Sequence, residues 1–314
     1  MTNILCIGGA NIDRKIQARN RLDFGTSNPA NSKISCGGVA RNIAESLGRL
    51  GLKSALLALI GDDSEGNWLL ENTKEYVDVS LTEIIQGKPT GTYTAVLDEQ
   101  GEMAIALADM AIYDEINKDI MEGKWKLAHP EMILLDTNFP SAVIQQIMNH
   151  CRDRKIPLCI APVSASKIEK LPDNLDGVTW FIANHIEAEA ISKLELKSEG
   201  DFFRAAEIIL KKGVDKVVIT RGNKGLIYFT KAGEAGALLP TDVSVTDVTG
   251  AGDSLIAGIL FGYLKGLNTE DACKIGLSCS VITIQSNETV NPALNKQNLI
   301  DAFQQYCFVG KILI

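Results

Sequence analysis

Asp247-Val248-Thr249-Gly250-Ala251-Gly252-Asp253 runs directly into Ser254-Leu255-Ile256-Ala257-Gly258, and how this stretch is read decides both fold and chemistry. Gly250, Ala251 and Gly252 leave the backbone uncovered, so its N–H groups can close on a ligand. The apolar run that follows predicts a helix over 251–265. The free N–H groups and positive dipole end of such a helix point at the same spot. The stretch therefore reads as an anion hole built from the 250–253 backbone. Asp253, in the first turn, would repel a bound phosphate, yet it suits a general base. It can take a proton from a hydroxyl while the helix end stabilises charge on a transferred phosphoryl group. A glycine-rich turn with an acidic helix start is the plainer reading of the same residues.

Upstream, strands and helices alternate. Strands are predicted at Asn3–Ile7, Ser54–Ile60, Met132–Leu135, Leu158–Ala161, Trp180–Ala183 and Lys216–Thr220. Helices are predicted at Val39–Leu50, with Ile43, Leu47 and Leu50 on one stripe and Gly51 as the stop, at Ser141–Arg154 and at Phe202–Lys212. Leu226–Phe229 and Ala237–Leu239 suggest an antiparallel edge, and two further helices are expected after Thr269 and near Leu299. This is the pattern of an α/β fold with a mostly parallel central sheet and helices on both faces. Two excursions, about 12–36 and 90–110, do not fit it. The first is polar, with a turn at Asn28-Pro29. The second holds two strand-like runs around Asp98-Glu99-Gln100-Gly101. Together they predict a small sheet beside the main one, within a single domain spanning 1–314. The apolar tail 308–314 has no assigned element.

Composition narrows the function classes. The chain has 314 residues, 46% hydrophobic, and a net charge of −8, so no basic field favours nucleic acid. Its seven cysteines include no C-x-x-C pair, and no secretory or membrane-length apolar segment is seen, which suggests a reduced, cytoplasmic protein. His129, His150 and His185 lie far apart and form no metal motif.

Ligands in such sheets bind beyond the carboxyl ends of the strands. Asn11 and Asp13 follow the first strand there, and Asp13 can accept from two neighbouring hydroxyls. Gly37-Gly38 allows a ligand to approach the backbone, and Asn42 lies one turn further on. Taken singly, these read as a loop turn and a helix start. Asn184-His185-Ile186-Glu187 reads as a helix cap, and Thr220-Arg221-Gly222-Asn223-Lys224-Gly225 as a β-turn. No P-loop or protein-kinase catalytic loop occurs.

These pieces, in this order, resemble the ribokinase-like (PfkB) family of sugar and nucleoside kinases over nearly the whole chain. The resemblance implies that the small sheet is a lid, and that a second copy can pair through it. It implies a sugar-hydroxyl clamp of Asn11, Asp13, Gly37, Gly38 and Asn42, with Asn138 also in the acceptor site. It implies that Asn184 and Glu187 help place Mg²⁺ and the phosphates of ATP, Glu187 indirectly. Thr220, Gly222 and Gly225 would meet the nucleotide. Asp247 and Thr249 would hold K⁺, with further ligands from the loop around Ser286 to Asn291.

Finer stretches are similar to the pseudouridine kinase branch: Thr26-Ser27-Asn28-Pro29, Gly37 to Ala44, Ala106 to Met110, and Pro162-Val163-Ser164-Ala165-Ser166-Lys167. Two positions depart from that branch, Ala161 where Asp is expected and Ala183 where Pro is expected. Thr26, Ser27 and Lys167 can read a base edge, or be loop and solvated surface. The expectation is an ATP-dependent kinase of the 5′-hydroxyl of pseudouridine, with Asp253 as base. A kinase for another nucleoside or free sugar, or a binding protein without turnover, stays open.

Overall fold

The computed structural model describes residues 2–117, 121, 123–124, 128–240 and 243–304. The apolar tail lies outside them. The chain opens with β1 (Ile4–Ile7), which is wholly buried. Ile4 and Cys6 join the apolar cluster on one face of the main sheet, Leu5 and Ile7 the cluster on the other. A strand apolar on both sides requires cover on both faces, which βαβ crossovers supply.

β2 (Asn11–Ala18) and β3 (Ala30–Gly37) leave the main sheet as an antiparallel pair. α1 (Val39–Arg49) brings the chain back, with Ile43, Leu47 and Leu50 fully buried as the stripe predicts. The strand expected at Ser54–Ile60 is two strands. β4 (Ser54–Leu57) pairs with β1, whereas β5 (Leu59–Gly61) pairs elsewhere. The break falls at Ala58, whose carbonyl accepts from the Glu83 N–H rather than from the main sheet. α2 (Ser64–Thr73), capped by Asp63, and β6 (Val77–Asp78) follow, and β7 (Glu83–Ile85) is the partner of β5. β8 (Thr92–Leu97) and β9 (Met103–Asp109) form the predicted hairpin and join β2.

The second half supplies β10 (Met132–Asp136), α3 (Ser141–Arg154), β11 (Leu158–Ala161), β12 (Trp180–Asn184), α4 (His185–Ser192) and α5 (Glu199–Lys211). β13 (Lys216–Thr220), β14 (Leu226–Thr230) and β15 (Ala235–Leu238) come next, then α6 (Ala251–Leu264), α7 (Thr269–Thr283) and α8 (Lys296–Ala302). The main sheet runs β15-β14-β13-β12-β11-β10-β1-β4-β6, parallel except for the β14 and β15 edge. The small sheet runs β3-β2-β8-β9. Asn11, Asp13, Lys15, Lys33 and Ser35 share the inner face of the small sheet by register. Ile34, Thr94 and Leu107 line up across the outer face, where Leu107 is 59% exposed.

α6 carries the decisive stretch, and its position depends on close contact with α7. A Cβ on Gly258 would lie 2.7 Å from the Gly276 Cα. Only hydrogen fits at such a backbone approach. Gly258→Val is therefore expected to lower stability by about 1–3 kcal/mol through overpacking. Urea unfolding of the variant against the parent measures this. An unchanged midpoint would mean that the two helices are free to separate.

Candidate active site

The site begins with a buried carboxylate that the sequence reading overlooked. Asp136, at the end of β10, is fully buried. Its Oδ2 accepts from the N–H of Gly9 at 2.8 Å and of Ala40 at 3.1 Å, and its Oδ1 from the N–H of Asn138 at 2.9 Å. Gly38 is the N-cap residue of α1 and has no capping side chain, so Asp136 serves the first turn of α1 in its place. One group thus joins the β1 loop, the start of α1 and Asn138.

Asn11 and Asp13 start β2 beside this junction. The Asn11 Nδ2 donates to Asp13 Oδ1 at 2.6 Å. Gly37 lies directly under Asp13, since a Cβ there would meet its carboxyl at 2.3 Å. Asn42, on α1, donates from Nδ2 to Asp253 Oδ2 at 2.8 Å. Its Oδ1 accepts from Arg41 at 2.9 Å, which fixes the amide orientation. Arg41 was not singled out from sequence. It is buried, pairs with Glu45 and holds the Cys36 carbonyl at the end of β3.

α6 starts as expected, with one correction. Gly250 takes a left-handed backbone (φ 79) against the Thr289 carbonyl, where a Cβ would lie 1.9 Å from the oxygen. The Ala251 N–H, however, bonds the Val248 carbonyl at 3.2 Å. The turn that positions the helix consumes this donor. The N–H groups of Gly252 and Asp253 meet no backbone carbonyl among the described residues, and nothing lies within 4 Å of a Cβ placed on Gly252. The free donors at this helix start are therefore the 252–253 pair, with open space at Gly252.

Two cavities meet here, sharing Thr220 and Gly252. One of about 180 Å³ is lined by Asp253, Glu187, Asn184, Ala183 and Val163 among others. The second, about 300 Å³, has Gly222, Asn223 and Gly225 on one wall and apolar side chains such as Val245, Leu277 and Ile284 on the other. A planar apolar-faced ring suits the larger space and charged groups the smaller one.

Asn184 and Glu187 form a reciprocal cap on α4, each side chain accepting from the other's N–H at 2.9 Å. The cap reading is correct, but Glu187 is buried rather than exposed. Burial pushes its carboxyl up to about 7, against the opposing pull of the Asn184 bonds. The Glu187 carboxyl also lines the smaller cavity beside Asp253. A carboxylate there fits a Mg²⁺ ion that keeps most of its waters and takes its other ligands from phosphate. No cluster of three or more metal-ligating side chains occurs among the described residues.

Potassium fits less well. Asp247 Oδ1 accepts from the Thr249 N–H and hydroxyl, and its Oδ2 from Lys15 Nζ at 2.8 Å. Asn291 bonds the Ile282 carbonyl and the Ala293 N–H, and Ser286 accepts from the Glu288 N–H. The Ser286 and Asn291 side chains thus bond within the chain, and the Lys15 ammonium already sits on the carboxylate that the potassium reading assigns to the cation.

Asn138 and Lys167 come together. The Lys167 ammonium donates to Asn138 Oδ1, leaving Asn138 Nδ2 beside Gly9. Burial draws the Lys167 ammonium below its ordinary range. Lys167 is accordingly no solvated surface lysine. Thr26 and Ser27 are exposed, in a loop held by Asn28, whose side chain bonds the Asp23 backbone. No hydrogen bond ties Thr26 or Ser27 to the Asp253 group among the described residues. Ala161 and Ala183, the two departures, are buried at the ends of β11 and β12.

Residues 1–296 match the pfkB family carbohydrate kinase description. The pseudouridine kinase of Escherichia coli (strain K12) is 32% identical over 302 residues, 95% of either chain. The guanosine-inosine kinase of Exiguobacterium acetylicum is 26% identical, covering 92% of this chain and 96% of its own. The ribokinase of Arabidopsis thaliana, solved with ribose and ATP, superposes with a TM-score of 0.84 at 17% identity, over 97% of this chain and 99% of that one. The chain belongs to the PfkB family and has the ribokinase-like α/β fold. It is a sugar or nucleoside kinase, a phosphotransferase acting on a hydroxyl.

Burial raises the acids of the site, and at Asp253 the neighbouring acids add to it. Burial first, then the charges of Asp13, Asp136 and Glu187, push Asp253 up to about 7, with the Asn42 bond opposing. Burial pushes Asp13 up to about 6, opposed by its bond to Asn11 and by Arg41. Folded values above unfolded ones of about 4 mean that the folded state holds these protons more tightly. Their contribution to stability is then fully present below pH 4 and is lost as pH rises through about 7. Asp253→Asn removes one such group. It should become progressively more stable than the parent between about pH 5 and pH 8. Melting temperatures across that range test this, and a constant difference would contradict the raised value.

Proposed function

We propose that the chain transfers the γ-phosphoryl group of ATP to the 5′-hydroxyl of a ribonucleoside, with pseudouridine as the preferred acceptor. The observation that carries the transfer reading is Asp253. Its carboxylate and its own N–H sit together at the open start of α6, Asn42 holds the carboxylate, and the Asp13 carboxyl is near enough for its charge to be felt there. In the reaction the acceptor hydroxyl gives its proton to Asp253 as its oxygen bonds to phosphorus. The bond from phosphorus to the ADP oxygen breaks, and the N–H groups of Gly252 and Asp253 stabilise the charge on the phosphoryl oxygens. A base near 7 is matched to neutral pH. Asn11 and Asp13 hold the vicinal ribose hydroxyls, and Asp136 keeps the loop beneath them in place. The larger cavity takes the adenine and ribose of ATP. Glu187 would help to hold a Mg²⁺ ion brought in with ATP, and such an ion would supply positive charge to the phosphates. Six cysteines among the described residues are buried thiols outside any disulfide, which supports a reducing, cytoplasmic setting.

Pseudouridine is favoured by the 32% identical relative over nearly full length and by the partly buried Lys167–Asn138 pair at the acceptor end. The 26% identical guanosine-inosine kinase makes a purine nucleoside the runner-up.

Asp253→Asn is expected to keep nucleoside binding and lose about 10²–10⁴-fold in kcat. A variant retaining more than about a tenth of the parent rate would rule out Asp253 as the base. In an ADP-release screen over pseudouridine, uridine, inosine, adenosine, cytidine, ribose and fructose, pseudouridine should give the highest kcat/KM. Its extra ring N–H, if paired in the site, is worth about 1–3 kcal/mol over uridine, roughly 5- to 150-fold. Lys167→Met should narrow that gap, while Asp13→Ala weakens both nucleosides equally. Inosine or ribose as best substrate would remove the pseudouridine assignment and leave the transfer chemistry intact.

A further inference from the structure

Lys15 and Lys33 are direct cross-strand partners in β2 and β3, on the inner face of the small sheet. Like charges placed opposite each other destabilise a strand pair unless other groups meet them. Here the partners come from outside the sheet. Lys15 reaches Asp247 at 2.8 Å, and Lys33 reaches Glu288 at 2.7 Å and the Asn287 carbonyl at 2.9 Å.

Those partners belong to two loops that form one unit. The Thr246 N–H bonds the Ile284 carbonyl at 2.7 Å, and Gly250 rests against the Thr289 carbonyl. Asp247 is itself braced by both bonds from Thr249. Three residues beyond Thr249, the same segment presents the free N–H groups of Gly252 and Asp253. The inner-face lysines therefore grip the loop that shapes the anion hole, at two points. On the other side of β2, Arg14 pairs with Glu65 of α2, which anchors the sheet away from the site.

We propose that Lys15 and Lys33 are positioning residues. They act as a two-point clasp by which the small sheet, as a lid over the acceptor, fixes the anion-hole loop. In that clasp the Lys15 ammonium takes the place of a metal cation at Asp247. The proposal rests on the kinase reading above and adds a coupling between lid and anion hole. The acceptor is held by β2, which also carries Lys15. Capturing the acceptor and ordering the phosphoryl site then become one event.

The test uses the full-length protein and Lys15→Met, Lys33→Met and the double variant. In hydrogen exchange without substrate, the amides of 246–254 should exchange faster in the variants, most in the double one, while the β10–β13 strands stay protected. In turnover with ATP and the best acceptor, each single variant should lose about 2- to 5-fold, mainly in kcat rather than acceptor KM. The parent should run equally well in potassium and tetramethylammonium chloride. Lys15→Met should be rescued by potassium, and Lys15→Arg should need no rescue. A charge swap, Lys33→Glu with Glu288→Lys, should recover activity that either single reversal loses. The proposal is overturned if 246–254 exchange unchanged. It is also overturned if the parent requires potassium, or if only acceptor KM moves. A parent with no phosphoryl transfer to any acceptor would instead sink the kinase reading, while the exchange experiment would still judge the clasp.

Discussion

The Asp136 carboxylate is the constraint on which the rest of the site depends. It is fully buried and accepts three backbone N–H bonds, from the β1 loop, from the first turn of α1 and from Asn138. An unpaired carboxylate at that depth would be costly, so these donors must converge. Their convergence sets where α1 begins, and α1 carries Asn42 to Asp253. It also sets where β1 ends, and hence where Asn11 and Asp13 emerge. A residue that never touches the reacting atoms thereby determines the spacing between hydroxyl clamp and base. Gly8 shows how tight the junction is, since a Cβ there would lie 2.1 Å from the Asp136 carboxyl carbon.

Around that junction the protein gathers more negative charge than is comfortable. Asp13, Asp136, Asp253 and Glu187 all have their carboxyls pushed upward, chiefly by burial. Lys167 and Arg41 are the nearby cations, and each is tied to an amide, Asn138 and Asn42 respectively. The arrangement makes sense for a site that acts only when loaded. Phosphates bound with a cation would bring positive charge close to Glu187 and lower its need for a proton. Asp253, further along the same cavity, then sits in a field that lets it lose and regain a proton near neutrality. A site neutralised in advance by more lysines would hold product phosphate as firmly as substrate.

Much of this was legible in the sequence. The α3 and β13 bounds agree to the residue, because clean apolar periodicity ends at unambiguous stops in both. The helix start at Gly250–Asp253 could be read because its glycines have few other uses. What could not be read was pairing at a distance. Asp136 looked like the end of a strand, and its role exists only because Gly9 and Ala40 arrive from far along the chain. Arg41 carried no signal of its own in the sequence; it is buried with its guanidinium on the Cys36 carbonyl of β3 and on Glu45. The division of Ser54–Ile60 into two strands has no local signal, since β5 is drawn away by β7 more than twenty residues later. Lys15 and Asp247 lie 232 residues apart, and only the fold of the small sheet over α6 brings their charges together.

One feature of α6 ties these lines together. Base and anion hole are usually separate groups whose spacing must be maintained by everything between them. Here Asp253 supplies the carboxylate from its side chain and a free N–H from its own backbone, and Gly252 supplies the second donor. The distance between proton acceptor and charge stabiliser is then fixed by covalent geometry and one helical turn. What the tertiary structure must still control is the orientation of that turn, and three contacts do so. Asn42 holds the carboxylate, the Thr289 carbonyl confines Gly250, and Lys15 holds Asp247 just upstream. Each comes from a different part of the chain. The orientation of the helix start therefore depends on α1, the 286–291 loop and the small sheet together.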